Sequence, residues 1–248
     1  MSESDEQCQV LTDAGGTPVL TYLQGVREGR PWADLAKVVG PDPVEAILAG
    51  LSGWALSGSV ELGEQLIRRG ARIMRHAHSM RRNLVSAPPP PEWTTLTFPS
   101  GLRAVSCDRD ASDVFPAWRA AFPPEHIDHY NVSDEEALTA ELVPLLAGKV
   151  LGPVMPCSSL LVDAADHVIA GVIVTDRDGL PWIADVFRQP GARHAGLGAQ
   201  LLRCVLADAT AHGLTEIALV VSDANPARRV YEKLDFELSS TSLTVVVP

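Results

Sequence analysis

The residues best suited to binding an anion are an arginine and two glycines in the stretch RHAGLG, residues 193–198. This stretch follows a strand-like run, PWIADVF, and precedes a helix-like run in which Leu197, Leu201 and Val205 recur at steps of four. The first backbone N–H groups of a helix are free and its dipole is positive there, and glycine leaves room for a phosphate group to approach. The turn therefore predicts a phosphate-binding site, to which Arg193 adds a positive charge.

Two common phosphate-binding motifs are excluded by residue identity. Gly191 and Gly196 have the spacing of the glycines in a Walker A loop, but Leu197 and Gly198 occupy the positions of its lysine and its serine or threonine. Gly196 and Gly198 also begin a dinucleotide-binding fingerprint, but Leu201 occupies the position of its third glycine. The turn is therefore predicted to belong to neither motif.

The remaining pattern, an arginine, two residues, a glycine, one residue and a glycine, resembles the pyrophosphate-binding motif of the GNAT N-acetyltransferase superfamily. Pro190 lies where that family commonly has a proline after its fourth strand. Farther along, NPARRVYEKLDF resembles the family's next segment, with Asn225, Ala227, Tyr231 and Phe236 near their expected positions. The resemblance covers roughly residues 94–248.

The chain departs from the family pattern at three places. Asn225 is one residue closer to Tyr231 than in the commonest arrangement, which leaves its contact with coenzyme A open. Asp235 replaces the glycine usually found before the final phenylalanine, and His194 with Ala195 replaces a more basic or glycine-containing pair. The turn consequently carries less positive charge than in many relatives.

The resemblance implies an N-acetyltransferase that carries an acetyl group from its acyl donor, acetyl-coenzyme A (acetyl-CoA), directly to an amine. Backbone amides of the turn would hold the pyrophosphate, and the splayed end of the preceding strand would pair with the pantetheine arm and polarise the thioester carbonyl. The cofactor-binding residues implied in this way are Val186, Phe187, Arg188, Arg193, His194, Ala195, Gly196, Leu197, Gly198, Ala199 and Asn225.

Two side chains are candidates for the proton transfers of this reaction. Tyr231, by resemblance the general acid, would protonate the departing thiolate, because a phenol with a pKa of about 10 stays protonated at neutral pH. Asp185 lies on the strand leading into the cofactor site, where relatives often carry a carboxylate. Two-residue periodicity places it on one strand face with Ile183 and Phe187, so partial burial would raise its pKa and suit it as the base. A chain of water molecules is the alternative base.

A dense group of titratable side chains lies between two predicted helices, where this family usually forms its acceptor loop. Within PPEHIDHYN, the predicted substrate-binding residues are Glu125, His126, Asp128, His129 and Tyr130. Because His126 and His129 have no third ligand in view, the sequence predicts no metal site. A polar surface loop is the alternative interpretation. The acceptor stays open among small amines, antibiotics, peptide N-termini and lysine.

The elements that must position these residues alternate between strands and helices. The strand-like runs are SSLLVDA, HVIAGVIVTD, LPWIADVF, EIALVVS and SLTVVVP. Two helix-like runs, DASDVFPAWRAAF and SDEEALTAELVPLLAG, precede or follow the acceptor loop, and Ser133 and Glu136 have capping-box spacing. Residues 94–248 are therefore predicted to form an α/β (α+β) domain, a GNAT-like central mixed β-sheet flanked by helices.

Residues 1–87 predict a small all-helical N-terminal module, joined to that domain by a proline-rich linker at residues 88–93. Three runs have helical patterns: PWADLAKVV, DPVEAILAGLSGWAL and SVELGEQLIRRGARIMRHAHSMRRNLV. The last contains six arginines, which form either a solvated helix face or a surface for RNA, an acidic partner or a phosphorylated substrate. The module could form a homodimer, dock a substrate or cover the active site.

Composition and charge narrow the classes of function. The chain has 248 residues, of which 46% are hydrophobic and 21% charged, as in ordinary globular proteins. Its net charge of −11 argues against a nucleic-acid partner and favours a cationic acceptor. No apolar run is long enough for a membrane span, the first residues do not resemble a signal peptide, and the four scattered cysteines are expected to be reduced. The expected location is the cytoplasm.

Two other functions remain open at this point. The departures at Asn225 and Asp235 allow a catalytically silent acetyl-CoA sensor or partner-binding scaffold on the same fold. Acetylation linked to RNA through the arginine-rich helix is a third hypothesis, and it requires residues 1–87 to bind RNA in a salt-sensitive way.

Overall fold

The computed structural model describes residues 7–27 and 29–248. The chain divides into two compact units, of which the first comprises Met1–Ser79 with Leu238–Pro248 and the second Met80–Glu237. Residues 88–93, the predicted linker, lie inside the second unit. Among the described residues, no helix combines the length and apolar character that crossing a membrane requires.

The first unit is built from strands with two helices. Its elements are β1 (Gln7–Thr12), β2 (Pro18–Arg27), β3 (Arg30–Val38), α1 (Pro43–Gly50), β4 (Ala55–Ser59), α2 (Val60–Arg68), the start of β5 (Arg72–Asn83) and most of β11 (Glu237–Val246). Strands β1, β2 and β3 are antiparallel neighbours, β3 pairs with β4 in parallel, and β4 pairs with β11 antiparallel. Leu20, Ile47, Leu56, Leu66 and Val245 lie at the centre of its core.

The prediction of an all-helical N-terminal module is wrong, because the described chain starts with strands. Helix α1 forms where predicted, with Asp42 at its N-cap and Pro43 in its first turn. The run PWADLAKVV is strand β3, and the long predicted helix stops at Arg68.

The region beyond Gly70, which has a left-handed φ of 99°, is strand β5. Burial alternates over its last four residues, with Met80 and Arg82 buried and Arg81 and Asn83 exposed. A spacing of four residues stays close to one face of a helix, but it also returns to the same face of a strand, because four is a multiple of two. The apolar residues at this spacing therefore fit either structure. The arginines therefore do not share one helix face: they divide between the end of α2 and β5, and Arg82 is fully buried.

The second unit has the predicted mixed sheet flanked by helices. Its strands after β5 are β6 (Arg103–Ser106), β7 (Ser159–Val162), β8 (Val168–Arg177), β9 (Leu180–Arg188) and β10 (Glu216–Ser222). Its helices are α3 (Ala111–Ala121), α4 (Asp134–Glu136), α5 (Val143–Leu146), α6 (Leu197–Ala211) and α7 (Arg228–Glu232). Strands β6 to β9 are antiparallel, and β9 pairs with β10 in parallel. Every predicted strand after residue 157 is present.

Two layers of core flank the sheet of the second unit. Helix α6 packs through Leu201 and Val205 on one layer, and helix α3 packs through Val114 and Trp118 on the other. The Ser133 hydroxyl accepts a hydrogen bond from the Glu136 backbone N–H at 3.2 Å, so the predicted helix start is capped as expected.

The two units share an order of elements. Each contains three antiparallel strands, a helix, a strand parallel to the third and a second helix, as β1–β2–β3–α1–β4–α2 and as β7–β8–β9–α6–β10–α7.

Candidate active site

The glycine turn connects β9 to α6 and has the geometry of an anion-binding loop. Gly191 and Gly196 have left-handed φ angles of 108° and 81°, which favour glycine. The first hydrogen bond of α6 runs from the Gln200 N–H to the Gly196 carbonyl at 3.0 Å, so the N–H groups of residues 197–199 precede the helical hydrogen-bond pattern. A Cβ atom at Gly196 would have no atom within 4 Å, so the space above the turn is open.

The two basic side chains of the turn lie in different surroundings. Arg193 is exposed, whereas His194 is only 5% exposed and its Nδ1 lies 3.2 Å from the Pro190 carbonyl oxygen. Leu197 is buried in the core, so only its backbone could contact a ligand. The exposed charge of the turn therefore comes from Arg193.

A β-bulge in β9 determines the sheet face on which Asp185, the candidate base, lies. Asp185 lies opposite Ile173 of β8, and Ile183 lies opposite Val174, which leaves Ala184 as an extra residue on β9. Ile183 packs in the core layer of α6, whereas Phe187 packs in the layer of α3. The prediction that Asp185 shares a face with both residues is thus wrong for Ile183, because the bulge interrupts the two-residue alternation.

The Asp185 carboxyl group is partly buried beside a tryptophan. The indole Nε1 of Trp118 donates a hydrogen bond to its Oδ2 at 2.6 Å. Burial raises the pKa of Asp185 to about 7, against the lowering effect of the Trp118 and Val186 N–H groups, and the nearby Asp128 carboxylate raises it further. A carboxyl group with this pKa can accept a proton and release it again near neutral pH.

Tyr231 lies on α7 with 8% of its surface exposed. Its ring packs edge-to-face on Phe236, with centroids 5.8 Å apart. Burial raises the pKa of its phenol above the ordinary value of 10.0, and the carboxylates of Asp185 and Asp128 raise it further. The phenol is therefore protonated throughout the physiological range and can act as a proton donor.

Asp128 brings the predicted acceptor loop to the end of β10 and the start of α7. The Ser222 hydroxyl donates to its Oδ1 at 2.5 Å, and the Asn225 amide donates to its Oδ2 at 2.7 Å. The Asn225 side chain thus faces Asp128, and its Oδ1 accepts from the Ala227 N–H at 2.8 Å.

The other predicted acceptor residues differ in their contacts. Tyr130 packs on Trp118 with ring centroids 5.0 Å apart, and Glu125 is exposed. His126 accepts a hydrogen bond from the Asp128 N–H at 3.1 Å, and the His129 Nδ1 lies 2.6 Å from the Phe122 carbonyl oxygen. No group of three or more metal-binding side chains occurs in the described residues, and both histidines contact their own loop.

Two residues of the site were missed by the sequence interpretation. Trp118 and Ser222 hold Asp185 and Asp128, respectively, across 67 and 94 residues of chain. Neither belongs to a local motif, since Trp118 is one apolar residue among several on α3 and Ser222 is the last residue of a β-rich run.

Asp235, which replaces the expected glycine, nonetheless has the backbone conformation of one. Its φ is 56°, and its carboxylate lies 3.5 Å from the guanidinium of the buried Arg82. Arg82 also donates to the carbonyl oxygens of Leu234 and Ala87. Aspartate is one of the few residues besides glycine that adopt this left-handed conformation.

Comparisons with known proteins agree with this geometry. Residues 115–236 match the model of the acetyltransferase (GNAT) family. The structure resembles a GCN5-related N-acetyltransferase from Sphaerobacter thermophilus, with a TM-score of 0.64 and 16% identity over 98% of this chain and 81% of the other. A GCN5-related N-acetyltransferase from Kribbella flavida gives a TM-score of 0.59 and 19% identity over 98% and 90%.

A tandem GNAT protein from the clavulanic acid biosynthesis pathway gives a TM-score of 0.62 and 14% identity over 95% of this chain and 80% of the other. No curated protein sequence is detectably similar to the chain. At these identities the structural neighbours show the fold alone, and they show it over nearly the whole chain.

Proposed function

Through residues 115–236 the chain belongs to the acetyltransferase (GNAT) family, and from that premise we propose that it transfers the acetyl group of acetyl-CoA to an amine. The observation that carries the proposal is that a partly buried carboxyl group on the strand leading into the glycine turn, Asp185, raises the pKa of a buried phenol, Tyr231, on α7. Two neighbouring titratable groups whose pKa values are both raised are typical of a site of acid–base chemistry.

The turn between β9 and α6 is the proposed binding site for the pyrophosphate of acetyl-CoA. The N–H groups at the start of α6 and the positive end of a 15-residue helix favour an anion there, and Arg193 supplies an exposed charge. The open space at Gly191 and Gly196 fits a phosphate group, which a side chain would obstruct. A Cβ at Gly198 would lie 3.8 Å from Val186, so this helix start is adjacent to the strand residue after Asp185.

The proposed reaction needs two proton transfers. The amine nitrogen attacks the thioester carbon, the carbon–sulfur bond breaks, and the sulfur leaves as a thiolate. Asp185 accepts a proton from the amine, and Tyr231 gives its proton to the thiolate. Backbone N–H groups of residues 186–188 supply the hydrogen bonds to pantetheine and to the thioester oxygen.

The acceptor is proposed to be the amine of a small molecule or a peptide. Tyr130 packs on Trp118, the tryptophan partner of Asp185, and is the best-placed acceptor contact, with Glu125, His126, Asp128 and His129 in the same loop. The net charge of −11 favours an acceptor that approaches as a cation.

The proposal is tested by thiol release from acetyl-CoA in the presence of pooled amines, after binding of acetyl-CoA has been measured by calorimetry. Tyr231→Phe should lower kcat by about 10²–10⁴-fold with little change in acetyl-CoA affinity, because it removes the proton donor alone. Tyr22→Phe is the matched control, since Tyr22 is an equally buried tyrosine of the first unit. Binding without turnover on any amine would contradict the transferase and indicate a sensor instead.

A further inference from the structure

The loop between α3 and α4, residues 122–132, contains the predicted acceptor stretch, residues 123–131, and is attached at its base to helix α3. The Arg119 guanidinium donates to the carbonyl oxygens of Tyr130 and Val132 at 2.9 and 2.8 Å. It also pairs with Asp134 at 2.8 Å, just beyond the loop. These contacts fix the C-terminal part of the loop, residues 130–132, and do not involve its tip around Asp128.

The tip is held by the Asp128 carboxylate. One of its oxygens accepts a hydrogen bond at the end of β10, and the other accepts one just before α7. Ser222 is only 2% exposed and ends β10, so its hydroxyl is a fixed donor to Oδ1. Asn225 donates to Oδ2 and accepts from the Ala227 N–H, at the N-cap of the helix that carries Tyr231. Hydrogen bonds to an ionised carboxylate are stronger than neutral ones.

The same loop also reaches the candidate base. Tyr130 packs on the Trp118 ring, and the Trp118 indole donates to Asp185. The loop therefore makes two contacts with the site. Through Tyr130 it contacts Trp118, which holds the proposed base, and through Asp128 it contacts Asn225, which precedes the helix of the proposed acid.

We propose that Asp128 is a positioning residue, which holds the acceptor loop on the start of α7 and thereby fixes Tyr231 relative to Asp185. This inference rests on the proposed acetyl transfer. Asp128 itself exchanges no proton with the amine or the thiolate: it acts through Ser222 and Asn225.

The charge of Asp128 has a second consequence that a purely structural role would not have. Asp128 and Tyr231 are the titratable groups that interact with Asp185, and Trp118 is its neutral donor. An asparagine at position 128 can still accept from Asn225 and donate to the Ser222 hydroxyl, so the loop stays attached while the charge is removed. The pKa of Asp185 should then fall.

The test compares Asp128→Ala and Asp128→Asn with Asp113→Ala, which removes an exposed carboxylate from α3. Asp128→Ala should lower kcat about 100-fold, as expected for misplacement of about 1 Å, and leave the KM for acetyl-CoA unchanged. Asp128→Asn should recover most of kcat and shift the acid limb of the pH profile to lower pH. Amide hydrogen exchange should speed up in residues 122–132 and 225–232 in Asp128→Ala alone.

Unchanged hydrogen exchange in Asp128→Ala would overturn the proposal whether or not the enzyme is active. Equal losses of kcat in Asp128→Ala and Asp128→Asn, with the same pH profile as wild type, would also overturn it. A wild-type protein that acetylates no amine would instead overturn the proposed function, and hydrogen exchange would then decide by itself whether Asp128 holds the loop.

Discussion

The Asp185 carboxyl group sets the pH range in which the proposed base works. Because burial raises its pKa to about 7, half of the molecules carry a protonated, inactive base at that pH. We expect kcat at saturating substrates to rise with pH through about 7 and to level off above it. Tyr231 stays protonated well above this range, so it adds no alkaline limb near neutrality. A kcat that is constant between about pH 5 and 9 would contradict the assignment.

Replacing this carboxyl group should change activity and stability in opposite directions. The native pKa of about 7 exceeds the ordinary value of 3.8, so the native state binds the proton more tightly and the contribution of Asp185 to stability is lost as pH rises between the two values. At pH about 8 the buried charge is therefore unfavourable.

Asp185→Asn removes that charge and keeps an acceptor for Trp118, so it should raise Tm at pH about 8 and have a smaller effect at pH about 5. It should lower kcat by about 10²-fold or more. Thermal unfolding at both pH values and thiol-release kinetics check the two signs. A lower Tm for Asp185→Asn than for wild type at pH about 8 would show that contacts of the ionised carboxylate outweigh the cost of burying its charge.

The proposed acid and base could be singled out from the sequence, but the residues that hold them in place could not. Tyr231 and Asp185 lie within or beside short local patterns. Trp118 and Ser222 contact the site only because helix α3 and strand β10 bring them there from distant positions. A contact that depends on tertiary packing leaves no mark in local spacing, and so neither residue could be singled out.

At the scale of elements, the glycine turn needs glycine for two reasons: its left-handed backbone and the space proposed for the pyrophosphate. The two can be tested separately. Gly196 and Gly213 flank α6 at its two ends, with φ angles of 81° and 78°, and a Cβ at either would meet no atom within 4 Å. Alanine at either position should destabilise the protein by about 1–2 kcal/mol through left-handed strain.

Only Gly196→Ala should also weaken acetyl-CoA binding, because only its Cβ would enter the space proposed for the pyrophosphate. Denaturant unfolding and calorimetry on both variants measure the two effects. Equal acetyl-CoA affinities for Gly196→Ala and Gly213→Ala would place the pyrophosphate elsewhere.

Two elements show why the remaining fold was harder to predict. The bulge at Ala184 cannot be recognised in the run LPWIADVF, because nearly all of its residues are apolar and there is no alternation whose interruption would mark the bulge. Strand β5 has apolar residues at positions that satisfy both a helical and an extended period, and its arginines resemble those of a solvated helix. In both cases the neighbouring strands decide the structure, because pairing with them outweighs the local preference.

At the scale of the whole molecule, the shared order of elements raises the question of a second cofactor site. The turn in the first unit that corresponds to the glycine turn leads from β3 into α1 and contains Asp42 at the N-cap, Pro43 in the first turn and Glu45. Proline supplies no N–H group, and two carboxylates repel a phosphate. We therefore expect this turn to bind no pyrophosphate.

Calorimetry should consequently give one acetyl-CoA molecule bound per chain. Gly196→Trp, which fills the turn of the second unit, should abolish that binding entirely and leave no weaker site. A stoichiometry of two, or residual binding in Gly196→Trp, would show that the β3–α1 turn is a working site despite its acidic residues.

The division of the chain also bears on the order in which a growing polypeptide can fold. Residues 80–237 are contiguous, whereas the first unit takes its β11 from the last residues, where Val245 and Val247 join its core beside β4. During synthesis β1 to β4 emerge before residues 80–237, but they lack this partner until residues 238–247 have been made. The unit that contains Asp185 and Tyr231 can therefore assemble on the ribosome before the first unit is complete.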